Sequence, residues 1–315
     1  MIRFGDIEAA AGRIRGHVRR TPLVRADQLL QAPAAAAAPL WLKLECLQVT
    51  GSFKARGATN RLLAADPATL ARGIVTASGG NHGLAVARAG HLARVKTTVF
   101  LPGNASPAKR AKLAGWGAEI RIEGTVWDES DRAARAFAEA TGAVYFHPFA
   151  DPEVVAGQGT VALEIAAELP EASLFLIAIG GGGLAAGMAT AIRALHPKAR
   201  IVGIEPVGSP TLRASLDAGQ VVTLDAVTTA VPTMACGRTD PRIFDIIRDT
   251  VDEVVLIEDR DMERAARWLW FELGLAADLS GAASVAALQS GRVVPREDDV
   301  VCGLVCGAGP DGLAA

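Results

Sequence analysis

LFLIAIGGGGLAAG, residues 174–187, joins an apolar run to four consecutive glycines and then to an alanine-rich stretch. A strand apolar on both faces needs cover on both faces, as parallel strands between layers of helices have. The glycines let the chain turn directly into a helix, and successive backbone amides there converge into a nest for an anion such as phosphate. Outward from this stretch the pattern recurs. GIVTA (73–77), TTVFL (97–101), EIRIE (119–123), RIVGIE (200–205) and DVVCGLV (299–305) are short β-branched runs set among Gly-, Ser- or Pro-containing turns and alanine-rich stretches. WLKLE (41–45), after an N-terminal helix and the connector QAPAAAAAP (31–39), alternates apolar and polar residues as a half-buried strand does. The expected fold is α/β: two open, mainly parallel twisted sheets flanked by helices. The division expected is a small inserted α/β domain at 69–150 and a large domain made of 1–68 and 151–315. Ligands of such sheets lie beyond the C-terminal strand ends, so the turns there are where chemistry is sought.

With 315 residues, half of them hydrophobic, the chain exceeds the usual size of one domain and can bury a substantial core. A formal net charge of −2 without a basic block excludes the electrostatic footprint of nucleic-acid or anionic-membrane binding, which leaves a small molecule as partner. MIRFGDIEAAAGRIRGHVRR at the N-terminus has no uninterrupted apolar run, so no signal peptide or membrane span is read and a cytoplasmic location is expected. Cys46, Cys236, Cys302 and Cys306 form no CxxC pair and are expected to stay reduced. Histidines 17, 82, 91, 147 and 196 show no HExxH or shared helix turn, so no structural metal site is read.

Three turns stand out. In TGSFKARGA (50–58), Gly51 and Ser52 read as a turn and N-cap, with Lys54 in the first helical turn. The helix dipole, with Arg56 two residues on, disfavours the ammonium there and favours the neutral amine that attacks an aldehyde. Only six lysines occur against 26 arginines, which sets this one apart, although a solvated lysine at a helix start reads equally well from these nine residues. In ASGGNHG (77–83), two glycines and the amides of a helix start suit a carboxylate, and Asn81 adds a side-chain donor. The third is the tetraglycine turn already quoted. It has no GK[ST] and is not a P-loop, but Gly181, Gly183 and Ala186 match GxGxxA, with Glu205 about 20 residues on, so a nicotinamide oxidoreductase stays open.

TGSFKARGA after LKLE, then SGGNHG, HPFADPEVVAGQGTVALEI (147–165), GGGGL and VCGLVCGAG resemble, in order, the serine and threonine dehydratases. These are pyridoxal 5′-phosphate (PLP) enzymes of fold type II, the tryptophan synthase β-like architecture, and the resemblance runs from Thr21 to Gly309. It implies that Lys54 is the Schiff-base lysine with Phe53 beside the ring, and that Asn81 bonds the PLP 3′-hydroxyl. Ser78, Gly79, Asn81 and His82 take the substrate carboxylate; Gly180, Gly181, Gly182, Gly183 and Leu184 cradle the phosphate. Cys306 falls where the family sets a serine or cysteine against the pyridine nitrogen, which a neutral thiol leaves largely unprotonated. Cys302, on the same face, reads as an apolar core cysteine.

The departures are specific. Val231, Pro232 and Thr233 stand where many members have Ala-Asp-Gly against the ring, and Asp278 replaces a glutamate. Glu205 occupies a position used for a cation in some members, but Ser209 and Thr211 replace the nearby acid. Gly79 replaces the serine that acts as acid and base on the second face in serine racemases. The resemblance implies a homodimer, PLP between the domains, and β-elimination from a 3-hydroxy amino acid such as serine or threonine to a 2-oxo acid and ammonia. Since the chain ends just after the cofactor motif, no regulatory domain is expected to follow. β-Replacement, racemisation and a PLP-binding module without catalysis are the alternatives.

Overall fold

A computed structural model describes residues 2–26, 29–33, 38–103, 105–125 and 127–313; of the connector at 31–39, residues 34–37 lie outside these. Among the described residues the strands are β1 (Leu23–Arg25), β2 (Leu40–Lys43), β3 (Ile74–Ala77), β4 (Thr97–Leu101), β5 (Glu119–Ile122), β6 (Val144–Tyr145), β7 (Leu174–Ala178), β8 (Arg200–Pro206), β9 (Glu253–Ile257) and β10 (Val301–Leu304). The helices are α1 (Phe4–Ile14), α2 (Lys54–Leu63), α3 (Pro67–Leu70), α4 (Asn81–Ala93), α5 (Pro107–Gly115), α6 (Trp127–Thr141), α7 (Pro152–Glu168), α8 (Gly183–Leu195), α9 (Thr211–Ala218), α10 (Pro241–Thr250), α11 (Asp259–Leu273) and α12 (Leu279–Gln289). Six strands form one sheet in the order β1-β2-β10-β7-β8-β9 and four form a second, β5-β4-β3-β6. Every pair is parallel except β1 with β2.

The central strands are buried along their whole length, as continuous apolar runs require of parallel strands. Three strands were not read from the sequence: β1, β6 and β9. WLKLE is also less half-buried than its alternation suggests. Lys43 is fully buried, its amine 2.7 Å from Glu164 Oε2 and donating to Thr21 O, so the polar face of β2 is an interior ion pair.

Helix starts differ in a way that bears on function. Ser106, Asp151, Asp240 and Asp278 each accept a backbone N–H at the start of α5, α7, α10 and α12, three of them with proline next. By contrast α4 and α8 start after Gly80 and Gly182 with no side-chain cap. Their first amides are left available.

The helix carrying Lys54 is fixed by close approach. A Cβ on Gly157 of α7 would lie 2.6 Å from Gly57 Cα of α2, so the two helices touch backbone to backbone. Arg56, two residues after Lys54, reinforces this contact. Arg56 is 1% exposed and donates through Nε and Nη2 to Glu45 (2.8 and 2.7 Å) and through Nη1 and Nη2 to Glu164 (2.6 and 2.9 Å). Lys43, Glu45 and Arg56, all buried, and the half-buried Glu164 thus form a quartet of two acids and two bases joining β2, α2 and α7.

Candidate active site

In each sheet the strand order reverses at one place, and the unusual turns gather there. In the six-stranded sheet β7 leads to β8 and β9 on one side while β10 lies on the other, so the turns after β7 and β10 open at the reversal. These turns carry Gly180–Gly183 and Cys306–Gly307. In the second sheet β3 lies between β4 and β6, and the turns after β3 and β6 carry Ser78–Asn81 and His147–Phe149. Such reversals are where open α/β sheets form a ligand crevice.

Lys54 is brought to this place by an uncommon backbone. Thr50 (φ 65°) and Gly51 (φ 81°) are consecutive left-handed residues, after which Ser52 pairs with Gly307 and Phe53 N donates to Cys306 O at 3.2 Å. The amine donates to Pro148 O at 2.7 Å and lies 5.1 Å from the Phe53 ring centre. The side chain keeps some exposure, but the surrounding protein lowers its pKa to about 8 by desolvation. Two details of the sequence reading are corrected. Arg56 does not repel the Lys54 ammonium, because it turns into the carboxylate quartet; residues two apart on a helix do not share a face. Nor does Ser52 cap α2: the N-cap residue is Phe53, and Ser52 Oγ is buried without a partner.

Two sets of free amides flank the lysine. Among the described residues the N–H groups of Gly180 to Leu184 donate to no protein acceptor, and neither do those of Gly79, Asn81 and His82. The tetraglycine turn has no room for side chains: a Cβ on Gly181 would lie 2.3 Å from the Phe149 ring and one on Gly183 2.4 Å from Phe149 O. Gly182 has φ 90°. Phe149 therefore packs on the glycine turn while Pro148, its neighbour, accepts from Lys54. Gly80 N donates to Ser78 Oγ at 3.3 Å, and a Cβ on Gly83 would lie 1.9 Å from Ser78 O, so α4 can start only with glycine there.

His82 is buried, with Nε2 3.1 Å from Phe146 O, Nδ1 unpartnered, and a pKa lowered to about 3 by desolvation and then by Lys54. His147 Nδ1 accepts from Phe149 N and Ala150 N (3.2 and 2.9 Å), and burial lowers its pKa to about 4. Both histidines are neutral near pH 7. Cys306 is buried 3.5 Å from Ser280 Oγ; burial, with nearby Asp278, pushes its thiol far above the usual range, so it stays protonated. Asn81 Nδ2 donates to Asp278 Oδ2 at 3.2 Å. Cys302 is buried within β10.

Glu205 is fully buried and its pKa is raised to about 7 by burial. Its two oxygens accept from Leu212 N and Arg213 N, each at 2.8 Å, at the start of α9. Ser209 and Thr211 both donate to Cys236 O. Among the described residues no cluster of three or more His, Cys, Asp or Glu side chains could hold a metal ion. Thr233 O and Met234 Cα lie where a Cβ on Gly180 would reach 3.0 and 3.2 Å, so the departure at 231–233 borders the glycine turn. Pro148, Phe149 and Ser280 were not read as site residues from the sequence; the first two lie inside the quoted HPFAD segment.

Fold and site together define an α/β protein with a carbonyl-reactive amine between two anion cradles, a donor set that fits a phosphorylated aldehyde. The family described as pyridoxal-phosphate dependent enzyme matches residues 14–307. The chain belongs to that family, its fold is that of the fold type II enzymes, and PLP is its cofactor. It is 40% identical over 302 residues to the L-threonine ammonia-lyase of Geobacter sulfurreducens, covering 96% of this chain and 74% of that one. Among solved structures it is similar to maize serine racemase (TM-score 0.92, 31% identity, 97% of this chain and 93% of that one). It is also similar to the T.th. threonine deaminase (TM-score 0.89, 34% identity, 98% of each chain).

Proposed function

We propose that this protein is a PLP-dependent ammonia-lyase that converts L-threonine, L-serine or a related 3-hydroxy amino acid to a 2-oxo acid and ammonia by β-elimination. The observation that carries the reading is the Lys54 amine, its pKa lowered to about 8, set between the free amides of 180–184 and those of 79–82. One cradle suits the cofactor phosphate and the other the substrate carboxylate. Bound PLP supplies an electron sink that makes the Cα proton of its amino acid removable. Lys54 would hold the cofactor, and its amine, neutral once free, would serve as the base for the Cα proton. Phe53 would lie beside the ring, Asn81 would donate to the 3′-oxygen, and Ser78, Gly79, Asn81 and His82 would bind the substrate carboxylate. Cys306 would present a neutral thiol to the ring nitrogen. Gly79 carries no acid to return a proton to the second face, which favours elimination over racemisation.

The site lies between a small domain, 69–150, and a large one, 1–68 with 151–315, in a cytoplasmic homodimer; exposed Trp270 and Phe271 on α11 offer apolar surface for pairing. The similarity to an L-threonine ammonia-lyase and a threonine deaminase supports the reaction class. The test is incubation of the holoenzyme with L-threonine, L-serine, 3-hydroxyaspartate and phenylserine, measuring oxo acid and, by chiral chromatography, the D-isomer. Oxo acid in large excess is expected. D-isomer in comparable amount would replace the lyase reading with a racemase one.

A further inference from the structure

Asp278 is 8% exposed and sits where the segments before α12 and after β10 meet. Its Oδ1 accepts from Ser280 Oγ at 2.6 Å and Gly281 N at 2.7 Å, and its Oδ2 accepts from Asn81 Nδ2 at 3.2 Å. Two glycines of the terminal CGAG make room for it. A Cβ on Gly307 would lie 2.5 Å from Asp278 Oδ2 and 3.1 Å from Asn81 Nδ2, and one on Gly309 would lie 2.7 Å from the Asp278 Cβ. The carboxylate therefore occupies a built position and reaches across to α4, on the other sheet. Helix capping alone uses Oδ1 and does not require this reach.

We infer that Asp278 is a positioning residue: its Oδ2 fixes the rotation of the Asn81 amide, so that the NH2 end stays on the Gly307 side with one N–H left for the 3′-oxygen of PLP. This rests on the cofactor site proposed above. Burial raises the Asp278 pKa, but the hydrogen bonds from Ser280, Gly281 and Asn81 all favour the ionised form; as a carboxylate it only accepts, so the amide nitrogen of Asn81 is the end that faces it. An NH2 group has two hydrogens, and Asp278 takes one. Among the described residues Asn81 Nδ2 donates to no other group.

Asp278→Asn exposes this role. The new carbonyl oxygen stays toward Ser280 and Gly281, where two donors meet it, so the new NH2 faces Asn81. Two NH2 groups cannot bond, and the Asn81 amide turns its oxygen inward, removing the donor from the cofactor. Asp278→Ser separates positioning from capping, since serine caps α12 but is too short for Asn81. The experiment compares wild type, Asn81→Ala, Asp278→Asn, Asp278→Ser and the Asn81→Ala/Asp278→Ser double variant, reading the absorbance maximum of bound PLP, its dissociation constant and the apoprotein Tm.

Both Asp278 variants are expected to move the band in the direction that Asn81→Ala does. They should also weaken PLP binding about tenfold, as loss of one charge-assisted hydrogen bond does, with little change in apoprotein Tm. The double variant should match Asn81→Ala alone. If Asn81→Ala shifts the band while the Asp278 variants keep the wild-type band, or if the shifts add in the double variant, the inference is overturned and the cofactor site stands. If Asn81→Ala itself leaves band and affinity unchanged, the placement of the cofactor at Asn81 fails and the inference with it. Should Asp278→Asn not fold, Asp278→Ser carries the comparison.

Discussion

The lowered pKa of Lys54 makes capture of PLP by the apoprotein a sensitive probe of the site. Only the neutral amine attacks an aldehyde. With a pKa of about 8, about one amine in eleven is neutral at pH 7; at an ordinary 10.5 it would be about one in three thousand. The protein thus raises the reactive fraction about 300-fold at pH 7. Because the shift is downward and caused by desolvation, the neutral form gains as pH rises and is nearly complete about a unit above pH 8. The apoprotein, mixed with PLP in a stopped-flow spectrophotometer between pH 6.5 and 10, should show a capture rate rising about tenfold per unit below pH 8 and levelling above it. The range lies above the second phosphate pKa of about 6, so the cofactor phosphate is mainly the dianion throughout. A free lysine derivative in the same buffers should keep rising to pH 10. If the apoprotein also rises without a break past pH 9.5, burial does not depress this amine and the reasoning fails.

Three further outcomes are expected. Lys54→Ala should abolish turnover with its circular dichroism spectrum retained, and borohydride reduction of wild type followed by peptide mapping should label Lys54; a label on Lys43 would refute the assignment. Gly183→Asp should release PLP on dialysis, because the added carboxylate repels the phosphate; its Cβ also meets Phe149 O at 2.4 Å, so the apoprotein loses stability too, and Gly183→Ala measures that steric part alone; unchanged retention in Gly183→Asp would move the phosphate elsewhere. Arg56→Ala leaves Glu45, itself fully buried, without its cation. It should cost about 3–5 kcal/mol in urea unfolding, whereas a loss below about 1 kcal/mol is what an exposed pair would give.

The long apolar strands were legible because burial on both faces leaves no polar alternation to confuse the pattern, and the turns that follow them announced themselves by glycine. β9 was equally apolar but has no glycine turn after it: Glu258 leads straight into α11. β1 and β6, three and two residues long, have no period to detect. The site was legible wherever the backbone does the work, at 79–83 and 180–183. It was illegible where side chains meet across distant segments. Lys43 and Arg56 look like solvated cations in sequence, and only folding brings Glu164 to them. Asn81 and Asp278 are 197 residues apart, so the sequence marks Asp278 as a departure without saying what it touches.

The quartet has a consequence for how this sequence can drift. Lys43, Glu45 and Arg56 are closed off from water and Glu164 is half-buried beside them, so two acids and two bases balance where solvent screens them little. Losing one member strands a charge, whereas replacing an acid and its base together by apolar residues of similar size is close to neutral. Single substitutions at these positions are therefore selected against while paired ones survive. Among descendants of this chain the four positions should change in concert, as a parity check changes with the digits it guards, and residue 56 should inherit its history from positions 45 and 164 rather than from its neighbour at 54.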